Sequence, residues 1–354
     1  MVTIKDVAKR ARVGVGTVSR VMGSKGSVSD KTAKRVRKAV EELNYRPSHL
    51  ARSLPTGQSR TIGVYLPVIH GSFYTPMLNT IYSALRANDR RMMVAFGTET
   101  KDERKEVMDG TRFLVDHGCD GLAVLGTAIE RSDLEYLLGL QPHLVLLNRS
   151  IGRYRSHCFT PDHEAGGRLA ANALWSGGHR RIAVIGGETG ALDNIARLKG
   201  FFDELAKHDV DVKGIPTVCG HFSPAGGRAA AKVLLTHEEQ YTAIFCANDE
   251  SAVGALSFLH EAGLSVPRDI SVMGYDGLDL AAYTAPPLTT VRIPWPEICV
   301  SALNHLLNEC YSLSLPVKRA FAAEVLWHDS VARVGAARLR AHNLGNVVDR
   351  RIPP

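Results

Sequence analysis

The sequence predicts an α/β protein with an N-terminal all-α head and a larger core built on parallel sheets. Three short amphipathic helices are indicated within residues 1–46, and short apolar strands alternate with helical stretches from Thr61 onward. Charge separates the same two parts. Residues 1–60 hold 14 Lys/Arg and 4 Asp/Glu, a balance of +10, whereas the remaining residues hold 29 and 32, a balance of −3. A basic head on a near-neutral body is typical of nucleic-acid binding.

Three apolar stripes predict the helices of the head. They consist of Ile4, Val7, Ala8 and Ala11, then Val18, Val21 and Met22, and then Ala33, Val36, Val40 and Leu43. A break at residues 13–15 separates the first two helices, and Ser29 is the expected N-cap of the third. This order is the helix-turn-helix plan, in which the second helix enters the major groove of DNA. We therefore expect a DNA-binding domain over residues 1–46.

Four segments have a recognisable sequence at fixed spacing: TIKDVA at residues 3–8, TVSRV at 17–21, LNYRP at 43–47 and LARSL at 50–54. This pattern, almost unbroken from residue 3 to about 68, resembles the lactose/galactose repressor family of bacterial regulators. The resemblance implies a homodimeric repressor that binds a pseudo-palindromic operator in double-stranded DNA. In one departure, Gly14 stands where the family usually has a serine helix cap. In another, Val15 and Gly16 offer almost no hydrogen bonding where the family varies its base-reading side chains, so we expect apolar contact or none there.

The residues expected to contact DNA lie in the head and in the segment after it: Ile4, Lys5, Val15, Gly16, Thr17, Ser19, Arg20, Ser27, Ser29, Thr32, Tyr45, Ser48, Ala51 and Leu54. Arg20 is the best candidate for a bidentate guanine contact, with a phosphate contact as the alternative. Residues 47–60 are expected to form a hinge helix and linker. Residues 48–54 are too few for a stable isolated helix. The resemblance implies that they fold beside the partner subunit on DNA, where Leu54 wedges into the minor groove. Packing of this segment onto the core is the alternative.

The core is expected over residues 61–334. Its candidate strands are residues 62–66, 92–96, 121–125, 144–147, 182–185, 243–246 and 270–274. The resemblance extends over this region, more loosely, to about residue 330, and implies a two-lobed core like that of periplasmic binding proteins. Lobe one is expected at about residues 61–160 plus 293–325, and lobe two at about 161–292 plus 326–334. Residues 335–354 are expected to form a flexible tail without the leucine heptads that join dimers into tetramers.

A ligand is expected between the lobes, beyond the carboxyl ends of the strands. Candidate contacts are Asn148, Asn248 and Asp276 at strand ends and, from the resemblance, Arg197, Phe73 and Phe222. Amides, a carboxylate, an arginine and aromatic faces suit a polyhydroxylated effector, so we expect a small sugar or sugar derivative. Asn148 and its neighbour Arg149, in place of a more common acidic residue, are most similar to the galactose-repressor branch.

Several alternatives remain open for the ligand site. Asn248 could simply cap a helix, Arg197 could form a surface ion pair of little energetic value, and Phe73 could belong to the core. A purine or another metabolite is the alternative effector. The effector could release the protein from DNA or act as a corepressor.

Other classes of protein are disfavoured by length, composition and motifs. At 354 residues the chain exceeds one ordinary domain, and 45% apolar with 22% charged residues is typical of a soluble globular protein. Neither a membrane-length apolar run nor the apolar core of a signal peptide is present, so we expect a cytoplasmic protein and neither a membrane partner nor a solute-transport binding protein. The paired glycines form no nucleotide-binding pattern, and the 14 histidines and 6 cysteines show no catalytic or metal-ligand spacing. No enzyme activity, metal or cofactor is expected.

Overall fold

The computed structural model describes residues 2–23, 28–45, 58–69, 71–98, 102–236 and 241–334. Four of the residues predicted to contact DNA, Ser27, Ser48, Ala51 and Leu54, lie outside the described residues. So do the predicted hinge helix over residues 48–54 and the predicted tail over residues 335–354.

The head consists of α1 Ile4–Ala11, α2 Val15–Gly23 and α3 Asp30–Glu42. Its apolar stripes meet in a small core in which Val7, Val18 and Val36 are fully buried. Met22 differs from its predicted inward position, since its side chain is 38% exposed at the end of α2. The helices are too short to be stable alone, so this shared core is what holds them.

Arg35 fastens the third helix of the head to the first. One of its Nη2 hydrogen bonds goes to the carbonyl oxygen of Ala11 at 2.5 Å and the other to that of Arg12 at 3.2 Å. These carbonyls lie at the C-terminus of α1, where they have no partner within the helix. The sequence pattern places Arg35 on the outer face of α3, and nothing in that pattern indicates the cap.

Lobe one is a parallel sheet in the order β2-β1-β3-β4-β5. Its elements are β1 Thr61–Leu66, α4 Tyr74–Ala87, β2 Arg91–Phe96, α5 Glu103–Asp116, β3 Gly121–Leu125, α6 Arg131–Leu140, β4 Leu144–Leu147 and β5 Cys158–Phe159. Alternate residues of β3 enter different apolar clusters, Ala123 on one face and Leu122 on the other. The central strands are therefore buried on both sides, which explains their continuous apolar runs.

Lobe two is a six-stranded sheet in the order β11-β10-β9-β8-β6-β7, parallel except for β11. Its elements are α7 His163–Ser176, β6 Ile182–Gly186, α8 Leu192–Ala206, β7 Thr217–Cys219, α9 Pro224–Leu235, β8 Ala243–Cys246, α10 Asp249–Glu261, β9 Ser271–Asp276, β10 Thr289–Arg292 and β11 Glu324–Leu326. Four strands were not predicted: β5, β7, β10 and β11. β5, β7 and β11 have only two or three residues, and β10 (TTVR) has four but is largely polar, so none of them is a readable apolar run.

The chain passes between the lobes three times. It enters lobe two after β5, returns with α11 Trp295–Tyr311, and leaves again for β11. Helix α11 follows a strand of lobe two but packs on β3, β4, β5 and α4 of lobe one. The crossing predicted near residue 325 lies inside β11, which begins at Glu324. Three adjacent crossings form the kind of hinge that lets two lobes close on a ligand.

Candidate functional site

A cavity of about 840 Å³ lies where the two lobes face each other. It lies beyond the carboxyl ends of β1 and β3 in lobe one and of β6, β8 and β9 in lobe two. In each sheet, successive strands are first added on one side and then on the other, and the order reverses between β1 and β3 and between β6 and β8. Open parallel sheets bind ligands at such topological switch points. All six predicted effector-binding residues line this cavity: Phe73, Asn148, Arg197, Phe222, Asn248 and Asp276.

Aromatic rings approach the cleft from both lobes. Phe73 immediately precedes α4, and its ring lies edge-on to Trp295, with centroids 5.2 Å apart. Phe222 follows β7, and its ring lies so close to Gly187 that a Cβ there would be 2.1 Å from it. Gly187 therefore makes room for Phe222, and both rings remain only partly buried.

Arg197 is a buried cation, so the alternative in which it forms a surface ion pair is wrong. Its side chain is 2% exposed, and its Nη2 lies 3.8 Å from Asp193 and 3.9 Å from Asp276. The guanidinium also lies over the ring of Tyr275, 3.8 Å from its centroid. Its Nε and Nη1 have no hydrogen-bond partner among the described residues. Buried donors are normally satisfied, so this arginine has spare capacity at the cleft.

Asp276 is the last residue of β9, whereas the sequence predicts a strand that ends two residues earlier, at 274. Burial raises the pKa of its carboxyl well above the usual value, although the nearby Arg197 acts in the opposite direction. Its φ is +110°, a backbone conformation that costs a residue other than glycine of order 1–3 kcal/mol. Three other residues of the cavity wall that are not glycine, Asn148, His221 and Phe222, also have positive φ. Strain of this kind gathers at functional sites.

Asn248 caps a helix, which was one of the two roles considered for it, and its position at the cavity keeps the predicted ligand contact possible. Its Oδ1 accepts a hydrogen bond from the Ser251 N–H at 3.0 Å, which caps α10, and its Nδ2 donates to the Phe222 carbonyl at 2.9 Å. The side chain is 4% exposed and also lines the cavity. Asn248 thus fixes the loop that carries Phe222.

A chain of hydrogen bonds crosses the cleft. His163 on α7 receives one from the hydroxyl of Tyr275 at its Nδ1, over 3.2 Å, and donates from Nε2 to Oδ1 of Asn148 at 2.7 Å. Asn148 in lobe one then donates to Asp193 in lobe two at 3.2 Å. Burial lowers the pKa of His163 to about 3, so the ring is neutral and its tautomer follows from these partners.

A second contact joins the two lobes at the cavity. The backbone N–H of Ser72 in lobe one donates to Oε1 of Glu250 in lobe two at 2.6 Å. His163, Asp193 and Glu250, which form these contacts between the lobes, were not predicted from the sequence. Asp193 and Arg197 have the i, i+4 spacing of a helical ion pair, which is the one local signal that links Asp193 to the site.

The head presents most of the predicted DNA contacts on its surface. Lys5, Val15, Gly16, Ser19, Arg20 and Ser29 are exposed, and Ile4, Thr17 and Thr32 are partly buried. Arg20 donates from Nε to the Gly16 carbonyl at 3.2 Å, so the two share one turn of α2. Ser29 is the N-cap of α3, but its hydroxyl donates to Thr32 and not to the backbone. Tyr45 departs from its predicted role, since its side chain is 7% exposed and packs in the head core.

Two family models match the sequence. The model for bacterial regulatory proteins of the lacI family matches residues 3–48, and that for the periplasmic binding protein-like domain matches residues 171–330. The HTH-type transcriptional regulator AscG of Escherichia coli (strain K12) is 30% identical, over 94% of this chain and 98% of that protein. The chain belongs to the lacI family.

Solved structures of lacI-family proteins share the fold of this family member. A transcriptional regulator from Burkholderia phymatum has 41% identity and a TM-score of 0.74, over 77% of this chain and 99% of its own. The lac repressor dimer bound to operator and the anti-inducer ONPF has 25% identity and a TM-score of 0.82, over 94% and 99% of the two chains. This lacI-family chain is a transcriptional regulator with a helix-turn-helix head and a two-lobed core. In the part of it that the structure describes, no helix has the length and apolar character needed to cross a membrane.

Proposed function

We propose that this lacI-family regulator is a cytoplasmic, homodimeric repressor that acts by binding and not by catalysis. Its head binds a pseudo-palindromic operator, and a small uncharged sugar or sugar derivative in the cleft controls that binding. The observation that carries the proposal is the make-up of the cleft, where aromatic, amide, carboxylate and guanidinium groups from both lobes surround one cavity of about 840 Å³. That volume lies in the range of small-molecule sites, roughly 300–1,000 Å³.

The charge of the cleft favours a neutral effector. Seven carboxylate residues line the cavity against two arginines, Arg104 and Arg197. Arg104 already pairs with Glu130 at 2.8 Å and Asp133 at 2.9 Å, and Arg197 lies between Asp193 and Asp276. A phosphate or carboxylate on the ligand would therefore meet net negative charge, which is repulsive at short range. Sugar hydroxyls, by contrast, can donate to these carboxylates and accept from Arg197.

A purine is the second candidate effector. Phe73 and Phe222 offer aromatic faces from opposite lobes, and a planar base stacks on such faces as well as a sugar ring does. The many carboxylates favour the sugar, because its several hydroxyls offer more donors than a base does.

A thermal-shift screen of the full chain tests the effector class. Neutral monosaccharides, their phosphate esters and nucleobases are compared at equal concentration, since a ligand at 100 times its Kd stabilises the folded state by about 2.7 kcal/mol. At least one neutral sugar should raise the melting temperature while its phosphate ester does not. Stabilisation by phosphate esters alone, or by purines alone, would contradict the proposal.

Selection of duplexes from a random library tests the operator arm of the proposal. The selected site should be pseudo-palindromic, and affinity should fall with salt at a log–log slope of about −0.9 per phosphate contact. A chain lacking residues 1–60 loses the entire positive excess and should not bind. Operator affinity with and without the identified sugar then decides between induction and corepression.

A further inference from the structure

A carboxylate, a thiol and an imidazole meet at the mouth of the cleft, beside the residues proposed to hold the effector. Glu188 follows β6, Cys219 ends β7, and His221 comes two residues later. The two strands are parallel neighbours, with Gly186 opposite Cys219, so their carboxyl ends lie at one edge of the sheet. One ligand atom from each of the three side chains lies within 4.8 Å of the others. Glu188 is distant in sequence from the other two, which is why spacing alone predicts no metal site.

The three side chains converge on one point. Nδ1 of His221 lies 2.7 Å from Oε1 of Glu188 and 3.6 Å from Sγ of Cys219. In a nucleophile–base–acid arrangement, the thiol and the carboxylate would use different ring nitrogens. Here both approach the same nitrogen, which is unsuited to proton relay but is the convergence that a single cation requires.

The backbone beneath the cluster is held from the protein side. Asn194, 4% exposed, accepts a hydrogen bond from the Gly187 N–H at 2.8 Å and donates to the Glu188 carbonyl at 3.1 Å. The thiol of Cys219 donates to the Gly187 carbonyl at 3.0 Å. His221 has a φ of +50°, a left-handed conformation that is costly for a residue with a Cβ. The backbone that carries the site is thus held in place, and a bound cation would replace the thiol proton of Cys219 together with its hydrogen bond.

We propose that Glu188, Cys219 and His221 bind a divalent transition-metal cation of the zinc type. Thiolate, imidazole and carboxylate are the zinc ligands of proteins, whereas magnesium and calcium take oxygen ligands. Zinc bonds of about 2.0–2.3 Å place neighbouring ligand atoms of a tetrahedral site roughly 3.3–3.6 Å apart. The 3.6 Å distance between Sγ of Cys219 and Nδ1 of His221 already fits this range. The carboxylate of Glu188 lies closer to Nδ1, at 2.7 Å, and its 52% exposed side chain can move the short distance away that the metal requires. Glu188 and His221 also line the cleft, so the cation would lie beside the proposed effector site.

Cobalt binding to the untagged, chelator-treated full chain tests the site directly. Co²⁺ bound to a thiolate gives a charge-transfer band in the near ultraviolet, and Zn²⁺ should displace the Co²⁺ at one ion per chain. Cys219→Ser should abolish the band. His221→Gln and Glu188→Gln should each weaken Zn²⁺ binding by ten-fold or more. Metal affinity already falls by about ten-fold when a residue that only hydrogen-bonds a metal ligand is removed, and a ligand itself should matter at least as much.

Cys310→Ser is the matched control, because Cys310 is likewise a partly exposed free thiol but lies on α11, away from the cluster. It should keep the band and the wild-type Zn²⁺ affinity. Thermal unfolding in chelator should give the same melting temperature for wild type and variants, so that a loss of binding reports the ligands and not the fold. Wild-type protein that binds no Co²⁺ at micromolar concentration, or Cys219→Ser protein that keeps the band, would overturn the proposal. The outcome does not depend on which effector the cleft binds.

Discussion

Asp276 combines burial, a positive φ and a carboxyl whose pKa lies well above its usual value. Each feature makes the folded state less stable than it would be with an uncharged residue at negative φ. The nearby cation of Arg197, at 3.9 Å, offsets only part of the cost of burying the carboxylate. Costs of this kind persist where a site requires them. We therefore expect Asp276 to serve the effector and not the fold.

Asp276→Asn should separate effector response from operator binding. Asparagine tolerates positive φ and keeps the shape of the side chain, but it removes an acceptor that a sugar hydroxyl needs. A hydroxyl left unpaired costs about 1–3 kcal/mol, so sugar affinity should fall by roughly ten-fold or more. Operator affinity, measured by fluorescence anisotropy without sugar, should stay at the wild-type value. Asp209→Asn, also at positive φ but exposed, is the control and should leave both affinities unchanged. An unaltered sugar response in Asp276→Asn would remove this residue from the site.

Asp249 shows how a buried carboxyl links stability to pH. It begins α10, is fully buried, and accepts hydrogen bonds from Oγ1 of Thr290 at 2.6 Å and from the Leu278 N–H at 2.7 Å. Burial raises its pKa to about 7, although the hydrogen bonds act in the opposite direction. The folded state therefore holds a proton that the unfolded state, with a pKa of about 3.8, has already lost. Stability from this group is present below about pH 4 and is lost as the pH rises through 7.

Asp249→Asn should flatten this pH dependence. The difference between the two pKa values corresponds to roughly 4 kcal/mol of unfolding free energy over the full window. In urea unfolding from about pH 4 to about pH 8, the stability of the wild type should therefore fall relative to that of the variant as the pH rises. His163, whose pKa is lowered to about 3, has the opposite sign but is present in both proteins and cancels in the comparison. Parallel curves would mean that Asp249 keeps an ordinary pKa.

The strands were predictable where they are buried on both faces and form a continuous apolar run. The strand at Leu144–Leu147 has the predicted bounds, because helices cover both faces and its apolar run is continuous. The strand ending at Asp276 was predicted two residues short, since its end is fixed by pairing with β10, a strand that the pattern does not indicate. Asn148 and Asn248 could be found because a strand end is a local feature. The hydrogen bond between His163 and Asn148 could not, because it depends on how two lobes meet.

The glycine-rich helices of lobe two pack closer than side chains would allow. A Cβ on Gly254 of α10 would lie 1.9 Å from the Pro224 carbonyl, and one on Gly227 of α9 would lie 2.1 Å from the Ser251 carbonyl. Both clashes are with backbone, which cannot move aside without separating the helices. Gly227, one of the paired glycines that form no nucleotide-binding motif, is thus explained by helix packing in this lobe.

Gly254→Ala should destabilise the protein by roughly 1–3 kcal/mol or more, because overpacking forces α9 and α10 apart. Gly139→Ala is the matched control: this glycine lies within α6, and nothing would approach its Cβ within 4 Å. There alanine should stabilise by roughly 0.5–1 kcal/mol through its helix propensity. The free energy of unfolding in urea measures both. Equal effects of the two substitutions would contradict the packing argument.

In the whole molecule, the effector cleft and the link to the head both involve lobe one. Ser72 and Asn148 in this lobe contact Glu250 and Asp193 across the cleft, so a ligand that alters these contacts alters the angle between the lobes. A ligand can shift that angle only by its different affinity for the two states. A change in the angle between the lobes must then pass to the head through the segment of chain that enters β1.

Asp120 anchors that chain. Its carboxylate accepts hydrogen bonds from the Ser59 N–H at 2.7 Å, the Ser59 hydroxyl at 3.0 Å and the Arg60 N–H at 2.6 Å, and from the hydroxyl of Tyr311 at 2.6 Å. Residues 58–60 are therefore fixed to the amino-terminal edge of sheet one, at the end opposite the cleft. With this anchor the linker toward the head leaves lobe one from a defined point.

Asp120→Ala should release the linker and weaken operator binding by ten-fold or more, because a longer free tether lowers the effective concentration of each head at its half-site. Sugar affinity, measured by calorimetry, should stay at the wild-type value, since the cleft lies at the other end of the sheet. Asp89→Ala is the control: Asp89 also binds the linker, through Nη1 of Arg60 at 2.9 Å, but that pair is exposed and worth little. If Asp120→Ala binds the operator as tightly as Asp89→Ala does, the heads do not depend on a fixed starting point, and coupling must reach them by another route.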